Sequence, residues 1–293
     1  MIIDTVVYSF DPRNAPAARV DSGAILSFRT KDCFSDRIGS ENQLINDLDL
    51  SLGMNPATGP VYVEGACPGD ILRVDILDVV PAGRGVVCSI PGCGPLHDTA
   101  ETRTRVLETE NGFAEFNGVR FALDPMIGVI GCTPAEPIPT GWVGDHGGNL
   151  DCKLVKKGAS LYCPVYVAGA LFQLGDVHAV MGDCELCGTG LEIPAVVTVR
   201  LTLMKGRSIP YPVLETQEKW YTLAHAKTYD EAVTLTAGAM QQLLMQAYGW
   251  DATDAFLYLS LQGDVEICQA CVPCSIDMIL RCGVPKQPGR PLL

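Results

Sequence analysis

Basic residues are the first scarcity in this 293-residue chain: 21 Lys and Arg stand against 34 Asp and Glu, a formal net charge of −13. A surface of that sign repels phosphate backbones, which excludes nucleic acid as a partner, and it repels anionic membranes equally. Long apolar runs are also missing. Stretches such as Ile193 to Val197 fall far short of the roughly 20 residues that span a bilayer. The opening Met1-Ile2-Ile3-Asp4-Thr5 has neither the basic segment nor the apolar stretch of a targeting signal, so a cytoplasmic location is expected. Charged residues make up only 19% against 47% hydrophobic, which argues against disorder and allows a sizeable core. There is no internal repeat, no low-complexity tract and no regular strand–helix alternation, so a doubly wound parallel sheet is not expected.

Cysteine, by contrast, is abundant, with 13 residues. A chain of this length without a signal segment is not a disulfide-stapled mini-protein. Most of the thiols are therefore read as reduced, small apolar groups. Cys268-Gln269-Ala270-Cys271-Val272-Pro273-Cys274, followed by Cys282, has spacing compatible with a metal or iron–sulfur site. Glu266 to Cys268 reads as a strand, and the cysteine cluster is set aside here.

Gly and Pro, 30 and 20 residues, punctuate short alternating runs over the first two thirds. In Ile71 to Ile76 the residues Leu72, Val74 and Ile76 face one way, and Arg73 and Asp75 the other. Val196 to Leu203 repeats the pattern. One wet face per strand implies antiparallel sheets. The fold class predicted is mainly β, α+β overall: an antiparallel sandwich or barrel-like core over residues 1–205 and a smaller C-terminal α+β part over 206–293. In that part, Thr228-Tyr229-Asp230-Glu231 has capping-box spacing, Val233, Met240, Leu243, Leu244 and Ala247 recur at helical spacing, and Gly249 offers a stop. A second helix is expected over about Thr253 to Leu261, capped from Asp251-Ala252-Thr253-Asp254. Pro285 to Pro291 reads as a trailing tail.

Chemistry concentrates between Trp142 and Glu192. His146-Gly147-Gly148-Asn149-Leu150-Asp151, Gly175-Asp176-Val177-His178, Gly182-Asp183-Cys184-Glu185 and Glu192 cluster around Gly, with the apolar run Leu161 to Val167 between them. Asp176 and His178 are two apart, which on a strand places both on one face. With a carboxylate from another strand they would suit a divalent cation such as zinc. Gly-Asp pairs also serve as ordinary turns, and both readings stand on spacing alone. His97 and Asp32 are further candidates that could approach the site.

The motifs Gly147-Gly148-Asn149-Leu150-Asp151, Gly175-Asp176-Val177-His178-Ala179 and Gly182-Asp183-x-Glu185-x-Cys187-Gly188, with Asn55 to Asp70 before them and Asp254-Ala255-Phe256 and Ser260-Leu261-x-x-Asp264 after, resemble the acetamidase/formamidase family. The resemblance runs over nearly the whole chain, in order. It implies a mostly β architecture, homo-oligomers of two or more chains, and hydrolysis of a small neutral amide to carboxylate and ammonia. A divalent metal is the cofactor expected, zinc first, with calcium admitted at a second site. Carried over by position, Asp151, Asp176, His178 and Glu192 are expected around the metal. Glu185 is expected to move the proton with Asp183 beside it, and Asn149, His146 and Cys187 to contact substrate. One departure is Cys184, where the motif carries Gly. A thiol mechanism through Cys187 is disfavoured, because acidic neighbours oppose the thiolate. Hydrolysis of a larger or cyclic amide, and a non-catalytic binding protein on the same scaffold, are the alternatives.

Overall fold

The computed structural model describes residues 1–293. Its largest sheet has nine strands, in the order Ile2–Ile3, Ile25–Arg29, Ala195–Met204, Ile71–Pro81, Ser160–Pro164, Val213–Glu215, Lys219–Ala226, Met278–Pro285 and Asp264–Gln269. The two long strands at its middle carry the alternation read from the sequence. Leu72, Val74 and Ile76 are buried and stand opposite Leu203, Leu201 and Val199, and the pairing runs antiparallel from Ala195↔Pro81 to Met204↔Ile71. A second sheet has Val143–Gly144, Gly147–Asn149, Met126–Cys132, Phe172–His178, Ala57–Val63 and Val6–Val7 in that order, with Ala18–Val20 added alongside Ala57–Val63. Every residue of Met126–Cys132 and of Phe172–His178 is buried. Such strands are covered on both faces, so their sequences need not alternate.

The two sheets share one apolar core. Leu26, Phe28, Val74, Leu161 and Val199 of the first meet Val61, Ile127, Ile130, Leu174 and Val177 of the second. Phe28 stands edge-on to Phe172 with ring centroids 5.7 Å apart. The result is a sandwich of open, mainly antiparallel sheets, none closed into a barrel.

The first sheet takes strands from both sides of residue 205. Ser160–Pro164 pairs with Ile71–Pro81 on one side and Val213–Glu215 on the other. Two helices cover its C-terminal strands: α1 (Tyr229–Tyr248) and α2 (Ala252–Gln262). Met240, Leu243 and Leu244 of α1 pack with Tyr162, Trp220 and Val284. Thr228 Oγ1 accepts the Glu231 amide and Gly249 takes the left-handed C-cap at φ 69°, while Asp251 caps α2 through the Asp254 amide at 2.8 Å. The expected trailing tail is instead docked. Leu292 is buried in the same cluster and the Tyr248 hydroxyl donates to the Arg290 carbonyl, because the chain end supplies apolar surface that α1 would otherwise expose. No helix is long and apolar enough to cross a membrane.

Candidate active site

The second sheet ends in a knot of buried acids around one imidazole. Met126–Cys132 and Phe172–His178 pair on either side of Gly128 and Asp176, but those two residues drop out of the ladder. Asp176 there has φ 52°, a left-handed turn within a strand. The same unusual backbone recurs at Asp151, φ 38°, and Glu185, φ 48°. Such conformations cost of order 1–3 kcal/mol each and persist where the surroundings force them, typically at functional sites. Gly128 makes the convergence sterically feasible: a Cβ there would lie 2.5 Å from Asp151 Oδ1 and 2.7 Å from Asp176 Oδ2.

His178 Nε2 is the centre of the cluster. It lies 3.2 Å from Glu192 Oε1, 3.7 Å from Asp176 Oδ2, and 3.9 Å from both Asp151 Oδ1 and Glu185 Oε1. None of these contacts aligns as a hydrogen bond, and His178 Nε2, Asp151 Oδ1, Asp176 Oδ1 and Glu192 Oε2 are all buried without a partner. The remaining lone pairs are tied down. Asn55 Nδ2 donates to Asp176 Oδ2 and to Asn149 Oδ1 at 2.9 Å each. Asn149 Nδ2 donates to Asp151 Oδ2 at 2.6 Å. Gln269 Nε2 bridges Asp151 Oδ2 at 2.7 Å and Glu185 Oε2 at 2.6 Å, and Glu192 Oε1 accepts the Gly190 amide at 3.0 Å.

Electrostatics follow from the crowding. Burial, then the neighbouring Glu185 and Asp176 charges, push the Asp151 carboxyl well above the usual range. Burial and Glu192 push Asp176 up to about 6. Glu185 is likewise raised by burial, with the Gln269 hydrogen bond working against it. Burial alone would lower the His178 imidazole, but Glu192 and Asp176 outweigh it and hold the ring well above its ordinary value. Four carboxylates in contact with one imidazole and no opposite charge beyond it would repel one another strongly in this low-dielectric setting. The unpaired nitrogen and oxygen atoms suit a divalent cation. Asp151, His178 and Glu185 offer ligand atoms within 4.8 Å of one another, as do Cys33, Asp176 and Glu192.

The cluster opens into a cavity of about 280 Å³ lined by Asn149, Asp151, Asp176, Glu185 and Glu192, with Tyr8, Met54, Trp142 and Ile276 among its apolar walls. The structure thus brings together five of the residues singled out in the sequence as proton carrier or metal ligands: Asp151, Asp176, His178, Glu185 and Glu192. Asn149 lies beside them.

Four candidates lie elsewhere. Asp183 turns away into a two-point ion pair with Arg281, 2.9 Å for each oxygen, and a contact with Lys153 at 2.7 Å. Burial works to raise its pKa, but those partners hold it below the usual range, so it is an anchor for the loop that presents Glu185. His146 is buried edge-on against Phe10, does not line the cavity, and burial drives its pKa down to about 3; it packs as a neutral ring. Cys187 points its thiol at the Thr189 carbonyl, 3.6 Å away, and the cavity is lined by its neighbour Gly188 instead. His97 stands 3.2 Å from Asp98 in the 89–103 loop and does not line the cavity of the cluster. Asp32 is buried just behind the cluster, its carboxyl pushed by burial up to about 6.

Sequence reading assigned no role to Asn55, Cys33 or Gln269. Asn55 stood in a quoted motif, and a Gln or Asn facing buried acids is the signal that could have marked it. Gln269 was masked by the cysteines around it. Cys184 has φ 79°, which accounts for Gly in the motif, since only Gly takes that backbone without strain. Backbone bonds from Cys184 N to Cys268 O and from Ala270 N to Cys184 O hold it there, and they dock the Glu185 loop beside Gln269.

Comparison with known proteins agrees with this picture. The sequence model of the acetamidase/formamidase family matches residues 5–145 and 143–263. The crystal structure of an acetamidase from Bacillus halodurans is 38% identical, superposes with a TM-score of 0.93 and covers 97% of each chain. The acetamidase of Mycolicibacterium smegmatis is 25% identical over 67% of this chain, and the formamidase of Methylophilus methylotrophus 26% identical over 64%. The chain spans less than two thirds of the length of these two curated relatives, 65% and 61%.

Proposed function

The chain belongs to the acetamidase/formamidase family, and we propose that it hydrolyses short aliphatic amides, such as formamide or acetamide, to carboxylate and ammonia with the help of a divalent cation, zinc first. One observation carries this reading: four buried carboxylates converge on His178 Nε2 with unpaired atoms, at the floor of a small cavity. His178, Asp151, Asp176 and Glu192 would hold the cation. When bound, it supplies Lewis-acid activation of a water and of the amide carbonyl.

The chain's own residues handle protons and position. Glu185 Oε2 is fixed by Gln269, which leaves Oε1 toward His178 to take a proton from water and return it to the departing nitrogen. Burial raises its pKa, the direction that helps a carboxylate take up a proton and hand it on. Asn55 and Gln269 commit both amide hydrogens to the cluster, so they orient carboxylates and leave substrate contact to others. A cavity of about 280 Å³, at the lower edge of the range of about 300–1,000 Å³ typical of small-molecule sites, has room for a short amide beside the carboxylates. The negative surface gives a neutral substrate free entry and speeds departure of an anionic product. Thirteen free thiols support a reducing, cytoplasmic setting. Exposed Phe256, Leu257 and Leu261 on α2 support self-association; a mass of one chain by light scattering would count against it.

The direct experiment is ammonia release from formamide and acetamide by protein stripped with chelator and then resupplied with zinc. Activity lost and restored is expected, and activity indifferent to complete stripping would overturn the metal-assisted reading. Absence of turnover with any divalent metal would favour a binding protein on this scaffold. Glu185→Gln should retain fold and metal but lose turnover, and an active variant would remove Glu185 from the mechanism.

A further inference from the structure

The cysteines set aside in the sequence return in a different grouping. Cys268 turns inward, fully buried, with its sulfur 3.7 Å from Arg281 Nη1. Cys271 and Cys274 turn the other way and meet Cys93, which lies in the loop between strands Arg84–Cys88 and Thr104–Glu110. The three sulfurs lie within 4.8 Å of one another, and Cys271 Sγ is 3.6 Å from Cys274 Sγ. A tetrahedral zinc site with Zn–S of about 2.3 Å places its sulfurs about 3.8 Å apart.

The backbone holds this arrangement independently of the thiols. Gly94 N donates to the Cys271 carbonyl at 2.7 Å and to the Pro273 carbonyl at 3.3 Å, so the two loops are already joined where the sulfurs converge. Gly94 has φ 85°, and a Cβ there would meet the Leu186 carbonyl oxygen at 1.9 Å. That close approach keeps Cys93 against its partners. Cys93 and Cys271 also line the cavity that contains Asp151 and Glu185.

We propose that Cys93, Cys271 and Cys274 form a second metal site, a three-thiolate centre for Zn²⁺ that ties the 89–103 loop to the 270–277 loop at the cavity wall. Thiolates select soft cations such as zinc over calcium or magnesium. Three protein ligands leave the fourth position to water or a small ligand. The ion here is separate from the one around His178, which has mainly carboxylate and imidazole donors, and the inference stands whether or not the chain is an amidase.

Cobalt distinguishes the two centres, because only thiolate ligation gives an intense near-ultraviolet sulfur-to-cobalt band. Full-length protein, reduced, stripped and kept anaerobic, is titrated with Co²⁺ and then with Zn²⁺. The band should appear and be bleached by Zn²⁺. Cys93→Ser and Cys274→Ser, on separate loops, should each weaken the band and lower Zn²⁺ affinity by about tenfold or more. Cys33→Ser, in the carboxylate cluster, should keep it. No band in wild type, a band that survives both loop variants, or a band lost in Cys33→Ser alone would overturn the proposal. Should a loop variant fail to fold, the wild-type and Cys33→Ser titrations still decide.

Discussion

Removing metal should make this protein less stable as the solution becomes less acidic, the reverse of ordinary acid denaturation. Asp176 titrates at about 6 in the folded chain against a reference of 3.8, a rise caused first by burial and then by Glu192. A carboxyl with a raised folded pKa holds its proton in the native state after the unfolded chain has lost it. Folding therefore loses free energy as pH climbs from the unfolded value through the folded one, here from about 4 to about 6. Two units correspond to about 3 kcal/mol. Asp32, also pushed by burial up to about 6, acts in the same window, though the two interact and their effects do not simply add. His178 is held above its ordinary value; its contribution is complete below the unfolded pKa and fades at still higher pH, so it extends the decline. Depressed carboxyls such as Asp183 lose their contribution only as pH falls, below this window. For a chain of this size about 3 kcal/mol moves Tm by roughly 6 °C. Calorimetry of chelated protein should show Tm falling by that order between pH 4 and pH 7, with Zn²⁺ restoring it at pH 7 and not at pH 4, where the ligands are protonated. Asp176→Asn should flatten the chelated curve. A Tm that is level or rising over this range, or an Asp176→Asn curve as steep as wild type, would refute the reasoning.

Gln269→Leu removes two hydrogen bonds to carboxylates, each worth roughly 1.5–3 kcal/mol, and should cut kcat by roughly ten- to a hundredfold. It should also move the acidic limb of the rate profile to higher pH, since Gln269 favours ionised Glu185; an unmoved limb argues against Glu185 as the base. Cys184→Gly relieves a left-handed residue at φ 79°, a strain of roughly 1–2 kcal/mol partly offset by roughly 0.5–1 kcal/mol of added chain entropy. Tm should rise by up to about 2 °C, and a lower Tm would show that the thiol packs usefully. Zinc binding at pH 7 should release at least one proton, because Glu192 and Asp176 hold the His178 imidazole well above its ordinary value and the ring must be neutral to act as a ligand. Calorimetry in buffers of different ionisation enthalpy reads the number directly, and a buffer-independent heat would contradict it.

The sequence made the sheets legible wherever one face was wet. Arg73 and Asp75 between Leu72, Val74 and Ile76 marked both strand and inward face, and Thr228 and Gly249 marked the ends of α1. The central strands Met126–Cys132 and Phe172–His178, buried on both faces, lack that signal, so the layout of the second sheet could not be read. The acids of the cluster were visible as Gly-flanked motifs. Their mutual approach depends on left-handed backbone at Asp151, Asp176 and Glu185, which no side-chain pattern encodes. The same limit explains Asp183: the resemblance implied a place beside Glu185, but φ 79° at Cys184 and 48° at Glu185 turn the chain and send Asp183 to Arg281. Pairing Cys93 with Cys271 across 178 positions is a tertiary fact, and the regular Cys268-x-x-Cys271 spacing pointed the wrong way.

Charge counting ties the cluster to its proposed chemistry. Four ionised carboxylates around a neutral imidazole carry four negative charges, and one dication cancels two. The surplus is too costly in a site where every side chain is at most 4% exposed. Either a second cation binds or protons stay on the acids, and burial with mutual repulsion raises Asp151 and Asp176. Glu185 then remains to receive the proton of the activated water: one oxygen is fixed by Gln269 and the other faces His178. On this reading the crowding that selects a cation also leaves one carboxylate free to pass that proton to the leaving nitrogen, so the same constellation meets both demands of amide hydrolysis.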